Sequence, residues 1–252
     1  MKIKRIFYLV IACLLIVSCN KQVKDKQFRI SGTIQQGNQT ALVLAKLDTN
    51  GYKTIDTIFT DKKGNFSSQY PIDYSAIYKL SLTDNDFVMF FAEPKDDLKL
   101  TANVASFSSD YKIDNSKPSE QLKILNNENM IVRQKLLFMS DLLQQNRGQD
   151  TFNEVLAKVK EQYAKLQEEE RQFTLDFIDK NIGSLASVVA LYRTFDGQWL
   201  VYVDELDVYN KVLSGLKKTM PNNPQTIFLQ NSIIKNQNLL KHIENGDNTG
   251  AK

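Results

Sequence analysis

Apolar and polar positions change their period near Pro118, and the change divides the chain into two regions. Upstream, apolar residues fall at alternate positions over short runs, clearest in Phe28-Ile30-Gly32-Ile34 and Tyr78-Leu80-Leu82. That is the period of a strand with one buried face. Runs over 27–34, 41–48, 54–60, 64–70, 76–82, 86–92 and 97–102 are read as strands. Thr49-Asn50-Gly51 and Asp61-Lys62-Lys63-Gly64-Asn65 carry residues able to take positive φ, and they predict hairpin turns. Phe87-Val88-Met89-Phe90-Phe91 is apolar at every position, which reads as a strand buried on both faces. Short strands at this spacing predict an antiparallel β-sandwich or barrel-like domain over 27–117.

Downstream the spacing becomes threes and fours, predicting a helical region over 118–244 and hence an α+β chain. Ser119 is expected to cap a helix whose seam runs Leu122, Leu125, Val132, Leu136, Met139 and Leu143 before Gly148 breaks it. A second seam runs Phe152, Val155, Val159, Leu166, Phe173 and Phe177, ending near Gly183. Two long helices with a short glycine-containing connection predict an antiparallel hairpin. Ser184 opens a short apolar segment, Asp204 a helix through Leu216, and Pro221-Asn222-Asn223-Pro224 stops it. A last amphipathic helix is expected over 225–243, and the polar tail 245–252 is expected to be disordered.

The N-terminus has its own pattern. Lys2, Lys4 and Arg5 precede an uncharged apolar stretch to Val17, too short to span a bilayer but suited to an export signal. Ile16-Val17-Ser18-Cys19 has the form of a lipobox. Residues 1–18 therefore read as a lipoprotein signal peptide, Cys19 as the lipidated first residue of the mature chain, and 19–26 as a polar tether. Several acyl chains make a stable anchor, since each buried methylene contributes about 0.8 kcal/mol.

Cleavage there changes the charge and the thiol inventory. Removing Lys2, Lys4 and Arg5 from 32 basic residues leaves 29 against 29 acidic ones, so the mature chain is formally neutral. It lacks the basic footprint of a nucleic-acid binder. Cys13 leaves with the signal and lipid consumes the Cys19 thiol, which excludes thiol redox chemistry.

Other candidate chemistry is thin. His242 is the sole histidine, so neither a metal site nor a Ser-His-Asp triad is expected. Asp84-Asn85-Asp86 lacks the glycine and distal glutamate of a calcium loop and reads as a turn. Glu168-Glu169-Glu170, beside Lys165 and Arg171, reads as a solvated helix face. No glycine-rich phosphate loop occurs, and no cofactor is expected. Tyr192, Phe195, Trp199 and Tyr202 gather around Gly197. They either seat the helices against the sheet or offer a contact for a protein partner.

Three stretches carry a family resemblance: FRISGTI, GYKTIDTIFTDKKGNF and IYKLSLTDNDFVMFFAEPKDDLKLTA. Together they resemble domain of unknown function 4369, found at the N-terminus of envelope lipoproteins of Gram-negative bacteria. YKIDNSKPSEQL and SLASVVALYRTF look like the continuation of the same proteins, so the likeness extends over about 27–240. In many relatives the helical part leads into a thioredoxin-like domain with a Cys-x-x-Cys motif. No such motif occurs here, so none of the family's catalytic residues carries over. The resemblance implies the N-terminal half standing alone. Two readings follow: a non-catalytic binding or scaffold module anchored by lipid, expected at the outer membrane facing the periplasm, or the accessory half of a split thiol:disulfide oxidoreductase.

Overall fold

The protein is described by a computed structural model over residues 24–244. The expected signal peptide, Cys19 and the tail 245–252 lie outside the described residues.

Eight strands form two four-stranded sheets packed face to face. The first sheet runs in the order β4 (Asn65–Pro71), β1 (Gln27–Gln35), β7 (Asp97–Asn103), β8 (Tyr111–Asp114). The second runs β3 (Gly51–Phe59), β2 (Ala41–Asp48), β5 (Ala76–Ser81), β6 (Phe87–Ala92). The sandwich expected from alternation is present and is not closed into a barrel. It departs from the all-antiparallel expectation at one place, where β1 and β7 pair in parallel. Alternation reports which face a residue occupies but not which strand lies beside it, so strand direction was not legible. β8 was also missed. Four residues are too few to establish a period, although Tyr111 and Ile113 both point inward.

Phe28, Ile30, Leu44, Tyr78, Leu80, Phe90, Leu98 and Leu100 fill the space between the sheets. Phe28 lies 4.7 Å from Tyr78, which stacks 5.5 Å from Phe90, measured between ring centroids. Gly32 leaves no room for a side chain between β1 and β7: a Cβ there would sit 1.9 Å from the Leu100 carbonyl oxygen.

The β5–β6 half of the second sheet is covered on both sides, as the uninterrupted apolar run of β6 predicts, while β3 at the opposite edge is largely exposed. Its outer residues Ile77 and Phe91 join a second core with five helices. These are α1 (Lys117–Gln145), α2 (Phe152–Lys180), α3 (Leu185–Leu191), α4 (Leu206–Thr219) and α5 (Pro224–Glu244). The junction between halves corrects the expected cap. Ser116, not Ser119, caps α1, accepting the Ser119 N–H, with Pro118 inside the first turn. Ser119 is buried and its hydroxyl oxygen accepts the Phe91 N–H at 3.0 Å, bonding the helix start to β6. Ser184 caps α3 as expected. Glu205 rather than Asp204 precedes α4, and its carboxylate is taken by Arg171 instead of by the helix end.

Gly32→Ala is expected to cost about 3 kcal/mol or more, because the clash is with backbone on a central strand pair. A urea titration should show a lower midpoint with unchanged slope; an unaltered midpoint would contradict the close β1–β7 packing.

Candidate functional site

The polypeptide between α2 and α4 builds the most chemically distinctive part of the molecule. After α3, Tyr192 and Arg193 lead into a tight hairpin of β9 (Thr194–Phe195) and β10 (Gln198–Trp199). Its turn residues, Asp196 and Gly197, have φ of 49° and 81°. Two positive φ values in a two-residue loop fit an Asp-Gly type I′ turn, whose twist matches the paired strands.

The hairpin has two faces. Phe195 is 1% exposed and meets Tyr163 of α2 edge-on at 5.0 Å, within a small core of Val132, Leu166 and Leu200. The Tyr163 hydroxyl donates to Asp196 at 3.0 Å. Phe195 therefore takes the seating role, and as a partner contact it is corrected: its ring is inside. Trp199 and Tyr202 remain 46% and 49% exposed. Trp199 stands edge-on to Tyr192 at 6.1 Å, and Arg171 lies 5.6 Å from the Tyr202 ring while pairing with Glu205. That pairing holds the Glu205 carboxyl below its ordinary range and the Arg171 guanidinium above its own.

Beneath the hairpin lies a buried ion pair. Arg193 is 5% exposed, and its Nη2 donates to Glu170 Oε2 at 2.9 Å. Nη1 donates to Thr174 at 2.7 Å, and Nε and Nη2 both reach Asn129 Oδ1, at 3.1 and 2.9 Å. The guanidinium also lies 5.1 Å from the Phe173 ring centroid. Glu170 is 3% exposed, so the solvated-face reading of Glu168-Glu169-Glu170 is wrong at its last member. A signal for this existed. Glu170 falls four residues after Leu166 and three before Phe173, inside the apolar seam of α2. Burial raises the Glu170 carboxyl above its usual range against the pull of Arg193, and neighbouring Glu128 pushes the same way. Arg193 itself carried no sequence signal.

Two concavities flank this knot. A groove of about 480 Å³ on one side is lined by α1 residues such as Val132, Arg133 and Leu137, with Glu170 and Arg193 at its wall. On the other side a cleft of about 540 Å³ lies between the second sheet and the helices. Leu47, Tyr52, Ile77 and Met89 form its sheet wall; Leu185, Val188, Tyr192, Trp199 and Phe228 form its helical wall. Tyr52, Tyr192, Trp199 and Phe228 are each at least one-third exposed, so aromatic faces are presented to whatever enters. The cleft continues past Leu47 and Gln225 into a channel of about 360 Å³ bordered by Lys46, Lys53 and Tyr74. Lys46 lies 4.6 Å from the Tyr74 ring centroid and Lys79 lies 5.0 Å from that of Tyr52. Asn223 stitches the floor, donating to the Ser75 carbonyl at 2.7 Å.

The remaining sequence candidates fall elsewhere. Asp86 accepts the Ser108 N–H at 3.0 Å in a turn between β5 and β6, as the turn reading requires. Cys19 and the His242 side chain lie outside the described residues. Among the described residues no helix is long and apolar enough to cross a membrane.

Loss of one partner should leave an uncompensated charge, so Arg193→Met should cost about 3–5 kcal/mol. Glu170→Gln should cost less and should change the pH profile. A carboxyl whose folded pKa is raised contributes stability that is complete below its unfolded pKa and is lost as pH rises through the folded one. Thermal melts from about pH 4 upward should show this decline in the parent and a flatter profile in Glu170→Gln. Parallel profiles would remove Glu170 from that role.

Residues 28–122 match the family model described as Domain of unknown function (DUF4369), so the resemblance read in FRISGTI and the following stretches stands for that region. The match ends in the first turns of α1 and includes only the sheet wall of the cleft. No curated protein matches the chain.

Proposed function

We propose, for a chain whose residues 28–122 form a DUF4369 domain, a lipid-anchored envelope binding module without chemistry of its own. Its binding site is the aromatic cleft between the second sheet and α3, α5 and the β9–β10 hairpin. The observation that carries this reading is the convergence of Tyr52, Tyr192, Trp199 and Phe228 on one cavity, all partly exposed. Large rings with few rotatable bonds supply contact area at low entropic cost, and such residues dominate measured binding energies. The hairpin holding Trp199 is fixed from below by Phe195, so the ring is presented by a stiff support. The chemistry fits an extended polypeptide segment offering apolar side chains, with Asp48 and Gln225 available at the rim.

A photo-cross-linking residue placed at 199 or at 52 should capture the same envelope protein. Trp199→Ala should lower the yield at position 52 about tenfold or more, the effect of removing a central aromatic anchor. Its melting temperature should stay close to the parent's. Capture that is indifferent to Trp199→Ala would refute the cleft as the site. If the captured protein carries a Cys-x-x-Cys motif, the module serves a thioredoxin-like enzyme as its accessory half.

Anchoring is tested separately. Cys19→Ala should leave an unprocessed precursor that no longer partitions into detergent with the lipoproteins. Unchanged partitioning would remove the anchor.

A further inference from the structure

The helical arm formed by α1 and α2 carries an apolar stripe that nothing in the described chain covers. On α1 the buried seam is Leu122, Leu125 and Val132. Away from it, Ile124, Ile131 and Phe138 are 51%, 44% and 65% exposed. They follow one another at intervals of seven residues, so at about 1.5 Å per residue they form one column roughly 21 Å long. Between them lie Glu128, half-buried, and Lys135, exposed. Neither makes an ion pair among the described residues; the neighbour of Glu128 is another carboxyl, Glu170.

This column is self-complementary in one orientation only. A two-fold axis through Ile131 of two antiparallel α1 helices sets Ile131 against its own copy and Ile124 against Phe138 of the second copy. The same axis brings Glu128 beside Lys135 of the second copy, twice. A parallel arrangement would instead set Glu128 against Glu128 and Lys135 against Lys135. Like charges at such positions select against a pairing, and opposite ones select for it. An isologous contact of this kind closes on itself and yields a dimer rather than a filament. From the spacing and the charge order we propose that a second copy of this chain covers the Ile124–Ile131–Phe138 stripe, in an antiparallel two-fold dimer.

The test is oxidative cross-linking of single-cysteine variants of the full chain in its own envelope, with Cys13 replaced by serine. Ile131→Cys should form a disulfide-linked dimer. Ile124→Cys and Phe138→Cys should each remain monomeric alone but cross-link when two differently tagged copies, one of each, are co-expressed. Lys135→Glu should reduce the Ile131→Cys dimer about fivefold, the scale of two lost exposed ion pairs. Adding Glu128→Lys should restore it. Self-linking at 124 and 138 would overturn the antiparallel arrangement. No dimer at 131, or adducts of 131 with a different protein, would overturn self-association, whatever occupies the cleft. Cross-linking of the parent would mean a free Cys19 thiol, which counts against the anchor alone; the series is then scored with Cys19→Ser.

Discussion

The helical half of this protein is organised around one guanidinium. Arg193 reaches Glu170 and Thr174 on α2 and Asn129 on α1, and it belongs to the segment leading into the hairpin. Taking such a charge out of water is costly, and the pair offsets that cost only while every partner keeps its place. The consequence is geometric. Helices that pack through apolar seams alone can slide by a turn, whereas α1, α2 and the β9–β10 hairpin share a single directional contact. Thr174 adds to this, since its hydroxyl donates to the Glu170 carbonyl while accepting from Arg193. The ion pair is better understood as fixing an arrangement than as a net source of stability.

Fixing that arrangement is what creates the cleft. The second sheet offers a whole outer face, but α1 and α3 cover only the part around Ile77 and Phe91. Tyr52 and Met89 are left at the margin of that contact, and the hairpin stops short of them. The position of Trp199 is thus set on one side by the buried Phe195 and on the other by Tyr192, itself edge-on to Tyr209 of α4. An aromatic wall supported from both directions keeps its shape when empty, and a preformed cavity loses less to ordering when it is filled.

Much of this was legible in the sequence, and the misses have physical causes. Short β-rich runs between turn residues located seven of the strands, alternating where one face is buried and continuously apolar in β6, because both patterns are local. The β1–β7 parallel pairing depends on contacts almost seventy residues apart, such as Arg29 with Asp97, and leaves no local trace. The cap moved from Ser119 to Ser116 because two serines compete for one helix start and a tertiary partner, the Phe91 backbone, claims the second. At the candidate site, Trp199 and Tyr202 were visible as loop aromatics, while Phe195 was not separable from them until the hairpin register turned it inward. Glu170 was misread because three consecutive glutamates suggest solvent. Its helical position, level with Leu166 and Phe173, says the opposite. Tyr52 and Phe228, distant in sequence, meet at the cleft only through the packing of sheet on helix.

Glu128 links the buried network to the surface of the arm. Within one copy it neighbours Glu170, whose carboxyl is raised first by burial, with the hydrogen bond and charge of Glu128 adding to that rise against the pull of Arg193. In the two-fold pairing we infer, Lys135 of the second copy stands beside Glu128. A cation there offsets part of the field that Glu128 exerts on the Glu170 carboxyl. Coupling of this kind is reciprocal. Because Arg193 leads directly into the hairpin that carries Trp199, the same chain of contacts runs from the outer face of α1 to the wall of the cleft. The proposed self-association and the proposed binding cleft are therefore joined through Glu128, Glu170 and Arg193.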